Sequence, residues 1–306
     1  MGECQATVLS TIEAAALWPQ LRRLDTEVIA TRAGEHRTLR AGFAATGVGN
    51  LPRMPRTVVM GLRHGLTFRG VLVARRLSGG AAWEVVSLRL AREKDDEAIH
   101  ALLQSTAVEV ANREGRTLFL RHAEGSPHED AFRLSGLVAY AREHLLCPPE
   151  PDSRPSAEEM RPAERADRAA VFRLYCRAVP EMVRRHEAIT QHEFRAVLDL
   201  YNSHDEFVLD GTDGLLAWAG IGEHEAHLLT APADGKAAAA ALETIRAHLP
   251  PSGTLVLGEH QEHEYRIATE CGFGPLGVRV VTARRLAALN SLKEALAVPV
   301  TSRVPN

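Results

Sequence analysis

The chain has 306 residues, of which 45% are hydrophobic and 25% are charged, and its formal net charge is −3. This balance gives no electrostatic reason to expect nucleic-acid binding, and no stretch approaches the roughly 20 apolar residues that span a bilayer. The first residues lack the basic and apolar regions of a secretion signal. The 4 cysteines are scattered and form no CxxC pair. We therefore expect a cytoplasmic protein without a disulfide framework or a thiolate metal site.

A proline-rich segment divides the sequence into two parts, each long enough for a hydrophobic core of its own. Four of the eight residues in 148–155 are proline, which removes backbone donors and favours an extended, semi-rigid linker. We predict a first domain, a linker, a second domain and a tail, with the boundaries 1–147, 148–158, 159–284 and 285–306.

The first half opens with a capping box, Ser10 to Glu13, which indicates a helix through about residue 23. A second, shorter helix is expected at 35–44. Three runs of strand-forming residues separated by turns then predict an antiparallel meander, and an amphipathic helix follows it. From the meander onward we predict strands 57–63, 66–76 and 83–90, helix 95–112, strand 117–121, a helix ending at Gly136, and strand 137–146.

The second half repeats this order. A second capping box, Thr190 to Glu193, precedes its second helix. A meander, an alanine-rich helix and a final strand, helix and strand follow. We predict helices 167–179 and 194–200, strands 206–209, 215–221 and 226–229, helix 237–249, strand 254–258, helix 262–271, strand 278–283, and a tail that begins as a helix at 284.

One short segment occurs twice, and its glycines, Gly136 and Gly272, stand 136 residues apart. In each copy a helix stops at the glycine, a large apolar residue follows, and a strand resumes. Glycine just past a helix end readily takes the left-handed backbone conformation. Because the same elements flank both copies, we infer a duplicated domain. The order β-α-α-β-β-β-α-β-α-β in each half predicts an α/β or α+β fold with helices on both faces of a mixed sheet.

This succession resembles the GNAT fold, that of the N-acetyltransferase superfamily that uses acetyl-CoA. Gly272-Phe273 looks like the superfamily's common Gly-Phe step, and Gly136-Leu137 resembles a variant of it. The segment 161–167 resembles the strand that runs into an Asp-started first helix. The resemblance covers most of both halves. It implies two GNAT-like domains, each a mixed, mostly antiparallel sheet with helices on both faces.

The resemblance also implies where a cofactor would bind. The superfamily holds the pyrophosphate of CoA on the loop between the fourth strand and the following helix, with the pattern Arg/Gln-x-x-Gly-x-Gly/Ala. In the first half Arg92 matches the first position, but Asp95 and Glu97 stand where the small residues belong. The alternative there is that Asp95 simply caps the helix, whose dipole favours carboxylates at its start.

The second-half loop matches the pattern better. Gly235 and Ala237 occupy the two small positions, and Lys236 adds positive charge near the helix start. The resemblance therefore implies acetyl-CoA binding at this loop and its flanks, by Leu229, Gly235, Lys236, Ala237 and Ala238. The alternative is an ordinary Asp-Gly turn in which Asp234 caps an alanine-rich helix.

In the superfamily a tyrosine five residues before the Gly-Phe aromatic protonates the leaving thiolate. Those positions hold Phe132 and Ala268, which cannot donate a proton. Tyr265 lies about one helical turn earlier and is our candidate acid.

The superfamily also uses a carboxylate on a central strand as the base. The hairpin between two predicted central strands offers Glu223, our first candidate, and Glu225, with His224 and His227 beside them. A solvated turn is the alternative interpretation of these residues, and we expect no metal site there.

Two hypotheses follow. In the first, the second half transfers an acetyl group from acetyl-CoA to an amine of a small molecule or peptide. In the second, both halves are catalytically inactive GNAT-like domains that serve as a scaffold, ligand-binding or oligomerisation protein. A homodimer could form through exposed strand edges or the tail, and neither hypothesis involves nucleic acid or a membrane.

Overall fold

The structure is a computed structural model that describes residues 5–10, 13, 24, 26–30, 57–65, 67–79, 81–149, 160–232 and 234–286. The predicted helix at 35–44, most of the helix at 10–23, most of the linker and the tail beyond 286 lie outside these residues. Within the described ranges, no helix has both the length and the apolar character needed to cross a bilayer.

The first half contains a meander followed by alternating helices and strands, as predicted. Two additional strands, β1 and β2, precede the meander. Its elements are β1 (Gln5–Val8), β2 (Thr26–Ala30), β3 (Thr57–His64), β4 (Thr67–Arg76), β5 (Ala82–Leu90), α1 (Asp96–Asn112), β6 (Thr117–Ala123), α2 (Glu129–Leu134) and β7 (Val138–Cys147).

The second half repeats the succession, with one helix, α4, that the sequence did not predict. Its last strand begins earlier than expected and ends at Arg285, where a helix had been predicted. The elements are β8 (Arg161–Pro162), a 3-10 turn (Arg165–Asp167), α3 (Arg168–Ala178), α4 (Glu181–Glu187), α5 (Phe194–Tyr201), β9 (Asp205–Gly211), β10 (Gly214–Ile221), β11 (Glu225–Thr230), α6 (Gly235–His248), β12 (Thr254–Gly258), α7 (Glu262–Glu270) and β13 (Gly274–Arg285).

Local signals in the sequence correspond to local contacts. The Ser10 amide donates to Glu13 Oε2 at 2.9 Å, and the Glu13 amide donates to Ser10 Oγ at 3.2 Å. In the second capping box the Thr190 amide donates to Glu193 Oε2 at 3.0 Å, and the Glu193 amide donates to Thr190 Oγ1 at 3.3 Å. Both glycines of the repeated segment have left-handed backbone, with φ of +81° at 136 and +89° at 272. The capping boxes and the helix stops are therefore confirmed.

The strands of both halves join in one sheet, in the order β1-β3-β4-β5-β6-β13-β7-β12-β11-β10-β9-β8, with β2 beside β5. Strand β13 lies between β6 and β7, and β7 lies between β13 and β12. The last strand of each half therefore pairs with the penultimate strand of the other half. Glu143 and Arg279 stand directly opposite each other in the β7–β13 pair. They are separated by the repeat length, so the pseudo-twofold axis passes between them.

Helices cover both faces of the sheet in the second half. On one face, α6 packs against Ala219, Leu228 and Leu255. On the other, α3 and α5 pack against Trp218 and Leu229. Burial of each large apolar side chain contributes about 1.5–3 kcal/mol, so these two cores fix the position of the central strands. The predicted mixed sheet with helices on both faces is confirmed.

Candidate active site

The parallel strands β11 and β12 pair over only three residues, from Glu225 opposite Thr254 to His227 opposite Val256. Beyond that point the Gln261 side chain bridges the two strands. Its Nε2 donates to the Leu228 carbonyl at 3.0 Å, and its Oε1 accepts the Gly258 amide at 2.8 Å. Buried backbone groups need partners, and here a side-chain amide supplies them.

A small cavity of about 30 Å³ lies beside this bridge. Its lining includes Glu143, Glu187, Tyr201, His227 and Gln261. About 10–15 Å³ suffices for one ordered water, so the cavity has room for about two. Strand β7 of the first half supplies part of this lining, which means that both halves build the site.

Glu187, at the end of α4, is the central acid of this site. Tyr175 Oη donates to its Oε2 at 2.9 Å, and Tyr140 Oη donates to its Oε1 at 3.2 Å. Burial raises the pKa of Glu187 to about 7, with the nearby Glu143 carboxylate acting in the same direction and the two tyrosine hydrogen bonds opposing it. A carboxyl group of this kind changes protonation near neutral pH, as a general base requires.

His227 lines the same cavity as a neutral imidazole. Burial lowers its pKa, although the neighbouring Glu225 carboxylate partly offsets the shift. Its ring stacks on Tyr201, with the ring centroids 4.3 Å apart. Its Nε2 lies 3.7 Å from Glu225 Oε2, beyond hydrogen-bond distance. A buried ring nitrogen in a polar cavity can also bind a water or a substrate group.

A row of alternating charges crosses the central strands next to the cavity. Arg121 Nη1 lies 2.7 Å from Glu84 Oε1, and Arg279 Nε lies 2.7 Å from Glu143 Oε2. Arg279 Nη1 also lies 2.8 Å from Glu225 Oε1. Burial raises the pKa of Glu143, but Arg279 and Arg121 outweigh it and hold that pKa below its usual range. The row ties the two halves together at the pseudo-twofold axis.

The predicted bases lie at the edge of this site or are paired within it. Glu223 lies in the bend before β11, with its side chain 57% exposed and its Oε1 3.7 Å from His224 Nε2. Glu225 is different, because Arg279 and His227 outweigh its burial and hold its pKa far below the usual range. A carboxylate stabilised in this way is a weak proton acceptor at neutral pH.

The predicted acid, Tyr265, lies on α7. Its ring packs against the core under α6, with its centroid 4.8 Å from that of His144. The described residues that line the cavity do not include it. Tyr201 is the phenol that lines the cavity instead.

At the predicted cofactor loop, Asp234 Oδ1 accepts the Ala237 amide at 3.0 Å, as the capping alternative describes. The side chains of Ala237 and Ala238 are buried in the core, whereas Lys236 is exposed at the helix start. Leu229 is buried and lines the cavity. A Cβ at Gly235 would lie 3.5 Å from His263 Nε2, an ordinary contact. The cofactor role of these residues stays a prediction.

In the matching loop of the first half, carboxylates of this chain contact the start of the helix and pair with an arginine. Asp95 Oδ1 accepts the Ala98 amide at 3.1 Å. Arg69 forms ion pairs with both Asp95 and Glu97. The start of α1 is thus occupied by this chain's own carboxylates and their arginine partner.

Sequence reasoning missed Glu187 and the tyrosines that hold it. The missed helix α4 is short, and its last turn reads as a charged surface, Arg184-Arg185-His186. One signal was available: Glu187 stands four residues after Val183, which places both on the same helix face. An acid on the apolar face of an amphipathic helix is a candidate buried group.

No protein-family model matches this chain, and no curated protein matches it. Solved structures do. A tandem GNAT protein from the clavulanic acid biosynthesis pathway is 16% identical and has a TM-score of 0.51, with 92% of this chain and 98% of that one covered. The chain has a tandem GNAT fold.

Two further structures have the same GNAT fold over nearly the whole chain. A GCN5-related N-acetyltransferase from Sphaerobacter thermophilus is 13% identical, with a TM-score of 0.55 and coverage of 92% and 95%. A GCN5-related N-acetyltransferase from Anabaena variabilis is 13% identical, with a TM-score of 0.51 and coverage of 95% and 74%. The tandem GNAT interpretation of the sequence is therefore confirmed at the level of the fold.

Proposed function

We propose that this chain is an N-acetyltransferase whose acyl-transfer site lies in the second half, with Glu187 as its general base. The observation that carries the proposal is the position of Glu187. It is a carboxyl group with a pKa of about 7, held by two tyrosine hydroxyls. It lies beside the cavity where β11 and β12 part.

Acetyl-CoA, when bound, would supply a thioester carbonyl as the electrophile. The chain offers two points that fit such a cofactor. The Leu228 carbonyl and the Gly258 amide, which the Gln261 amide now engages, suit an amide-bearing arm once Gln261 moves aside. At the start of α6 the amides of Gly235 and Lys236 point away from the helix without intrahelical acceptors, and they suit an anion.

The chain's own residues can then manage the proton. Glu187, as a carboxylate, accepts the proton of the acceptor ammonium at its Oε atoms, while Tyr140 and Tyr175 fix its orientation. Tyr201 stays protonated, because burial raises its pKa well above the usual value. It is our donor to the leaving sulfur, since it lines the cavity and Tyr265 does not. Glu223, exposed in the bend before β11, has no part in this proposal.

The test is a transfer assay with acetyl-CoA and a panel of amines, with acetylated product detected by mass spectrometry. Glu187→Gln should lower kcat/KM by about 10²–10⁴-fold, the range for loss of a general base. Glu270→Gln, an exposed substitution on α7, is the control and should leave kcat/KM unchanged. Equal rates for wild type and Glu187→Gln would overturn the assignment of the base.

A second candidate function, an inactive GNAT-fold scaffold, is favoured by one specific observation. The Gln261 bridge and the Asp234 cap occupy the positions that a cofactor would use. If acetyl-CoA fails to bind at millimolar concentration to wild type and to Gln261→Ala, the scaffold function replaces the enzyme.

A further inference from the structure

A second cavity, of about 340 Å³, also has Glu187 in its lining. We call it the acceptor pocket. The first half contributes Ala82 and Phe119 to its lining, and the second half contributes Glu187, Ile189 and Arg285. Glu187 thus lines both the small cavity beside β11 and β12 and this pocket.

Basic groups dominate the rim of the acceptor pocket. Arg116, Arg185, His186 and Arg285 line it, and Glu193 is the second acid beside Glu187. The carboxylate of Glu193 accepts the backbone amides of residues 189 and 190 at 3.1 and 3.0 Å, so it is engaged by its own loop. Three guanidinium groups therefore line the pocket with two carboxyl groups, of which Glu187 is about half protonated at pH 7.

The contacts within the rim leave guanidinium donors available to a ligand. Arg285 Nη2 donates to the backbone carbonyl of Arg185, which orients the group without neutralising it. Arg185 pairs with Glu181 through Nε and Nη2, at 3.0 and 2.6 Å. A guanidinium group has five N–H donors, so each arginine retains donors after these contacts.

Aromatic contacts of Tyr140 connect the arginine-lined rim of the pocket with Glu187. The Tyr140 ring stacks on His186, with centroids 4.8 Å apart and planes 14° apart. It also meets Phe119 edge-on at 6.2 Å. Since Tyr140 hydrogen-bonds Glu187, the pocket wall and the base form one connected unit.

We propose that the acceptor pocket binds the amine substrate and selects amines that carry an anionic group, such as the carboxylate of an amino acid. The inference rests on the proposed function. The anionic group binds Arg116 and Arg285 at the rim, because guanidinium groups match carboxylates in charge and geometry. The apolar part contacts Ile189, whose side chain is exposed, and the amine points to Glu187.

The first arm of the test measures acetylation of amino acids, each paired with its carboxamide, which has a similar size but lacks the negative charge; rates are compared per free amine. Wild type should prefer the acid by about tenfold or more in kcat/KM, the factor that one charge-assisted hydrogen bond supplies. In Arg285→Gln and Arg116→Gln the acid-to-carboxamide ratio should fall toward one. The control Arg173→Gln, an exposed arginine on α3, should retain the wild-type ratio.

The second arm needs no acetyl-CoA. Calorimetric titration with L-leucine and with L-leucinamide should show binding of the acid at least tenfold tighter, and Arg285→Gln should remove that difference. Equal acetylation of acid and carboxamide by wild type would overturn this inference while the proposed function stands. If no amine is acetylated, the proposed function fails, and the titration alone then decides: charge-selective binding supports the pocket, and its absence overturns it.

Discussion

The two copies of the repeat differ in the residues at which their parallel strands pair. In each copy three residue pairs form, and the third is Glu84 with Phe119 in the first copy and His227 with Val256 in the second. Glu84 is fully buried between Arg75 and Arg121, a completed ion-pair set. His227 instead lines a polar cavity, where its Nε2 is 3.7 Å from the Glu225 carboxylate and makes no hydrogen bond to it.

The same contrast holds at the helix that follows. Both helices are capped by an aspartate, but Asp95 at the start of α1 also pairs with Arg69, whereas an exposed lysine, Lys236, stands at the start of α6. At these positions the polar groups of the first copy are held in ion pairs. The second copy keeps polar groups that chemistry could use, and the exchanged strand β7 brings the first copy's Glu143 to them.

The largest expected effect comes from breaking the row of charges that joins the copies. Arg279→Ala leaves Glu143 and Glu225 without their main partner, and loss of one member of a buried pair costs about 3–5 kcal/mol. Chemical denaturation should show a loss of that size in the free energy of unfolding.

Arg142→Ala is the control for this prediction. Arg142 pairs with Glu124 and Glu259 from a side chain that is 54% exposed, and exposed pairs contribute about 0–1 kcal/mol. Equal losses in the two variants would remove the distinction between the buried row and the surface.

A tenfold change in acetyl-CoA affinity is expected when the Gln261 side chain, which bridges β11 and β12, is removed. Gln261→Ala removes two hydrogen bonds and should lower the free energy of unfolding by about 1–3 kcal/mol. Acetyl-CoA should bind about tenfold more tightly, because no side chain needs to be displaced. Gln104→Ala, on α1 of the first copy, should leave the affinity unchanged. Weaker binding by Gln261→Ala would contradict the idea that the bridge closes the site.

The smallest effect concerns the pH dependence of the base. Activity should rise with pH with a midpoint near 7, because Glu187 must lose its proton to act. The Tyr175 hydrogen bond favours the charged form, so Tyr175→Phe should raise the pKa and move the midpoint upward by about one pH unit. Measuring kcat/KM of both proteins between pH 5 and 9 tests this shift of the midpoint. A midpoint that stays unchanged or moves down would contradict the assignment.

The sequence was sufficient for features that depend on neighbouring residues. Both capping boxes and both helix-ending glycines could be predicted because each involves contacts within about four residues. The exchange of β7 and β13 could not, because strands of similar apolar pattern carry no information about which partner lies beside them. Glu187 was missed for a related reason: its burial arises only when α4 packs against β7 and α3.

The most direct test of the account is a calorimetric titration with acetyl-CoA that compares the two copies. We predict that wild type binds and that Gly235→Glu, which adds a negative charge at the start of α6, weakens binding by at least tenfold. Gly235→Ala, which the structure accommodates, should bind as wild type does, and so should Ala91→Glu in the loop before α1. Loss of binding in Ala91→Glu with retention in Gly235→Glu would place the site in the first copy and contradict the account.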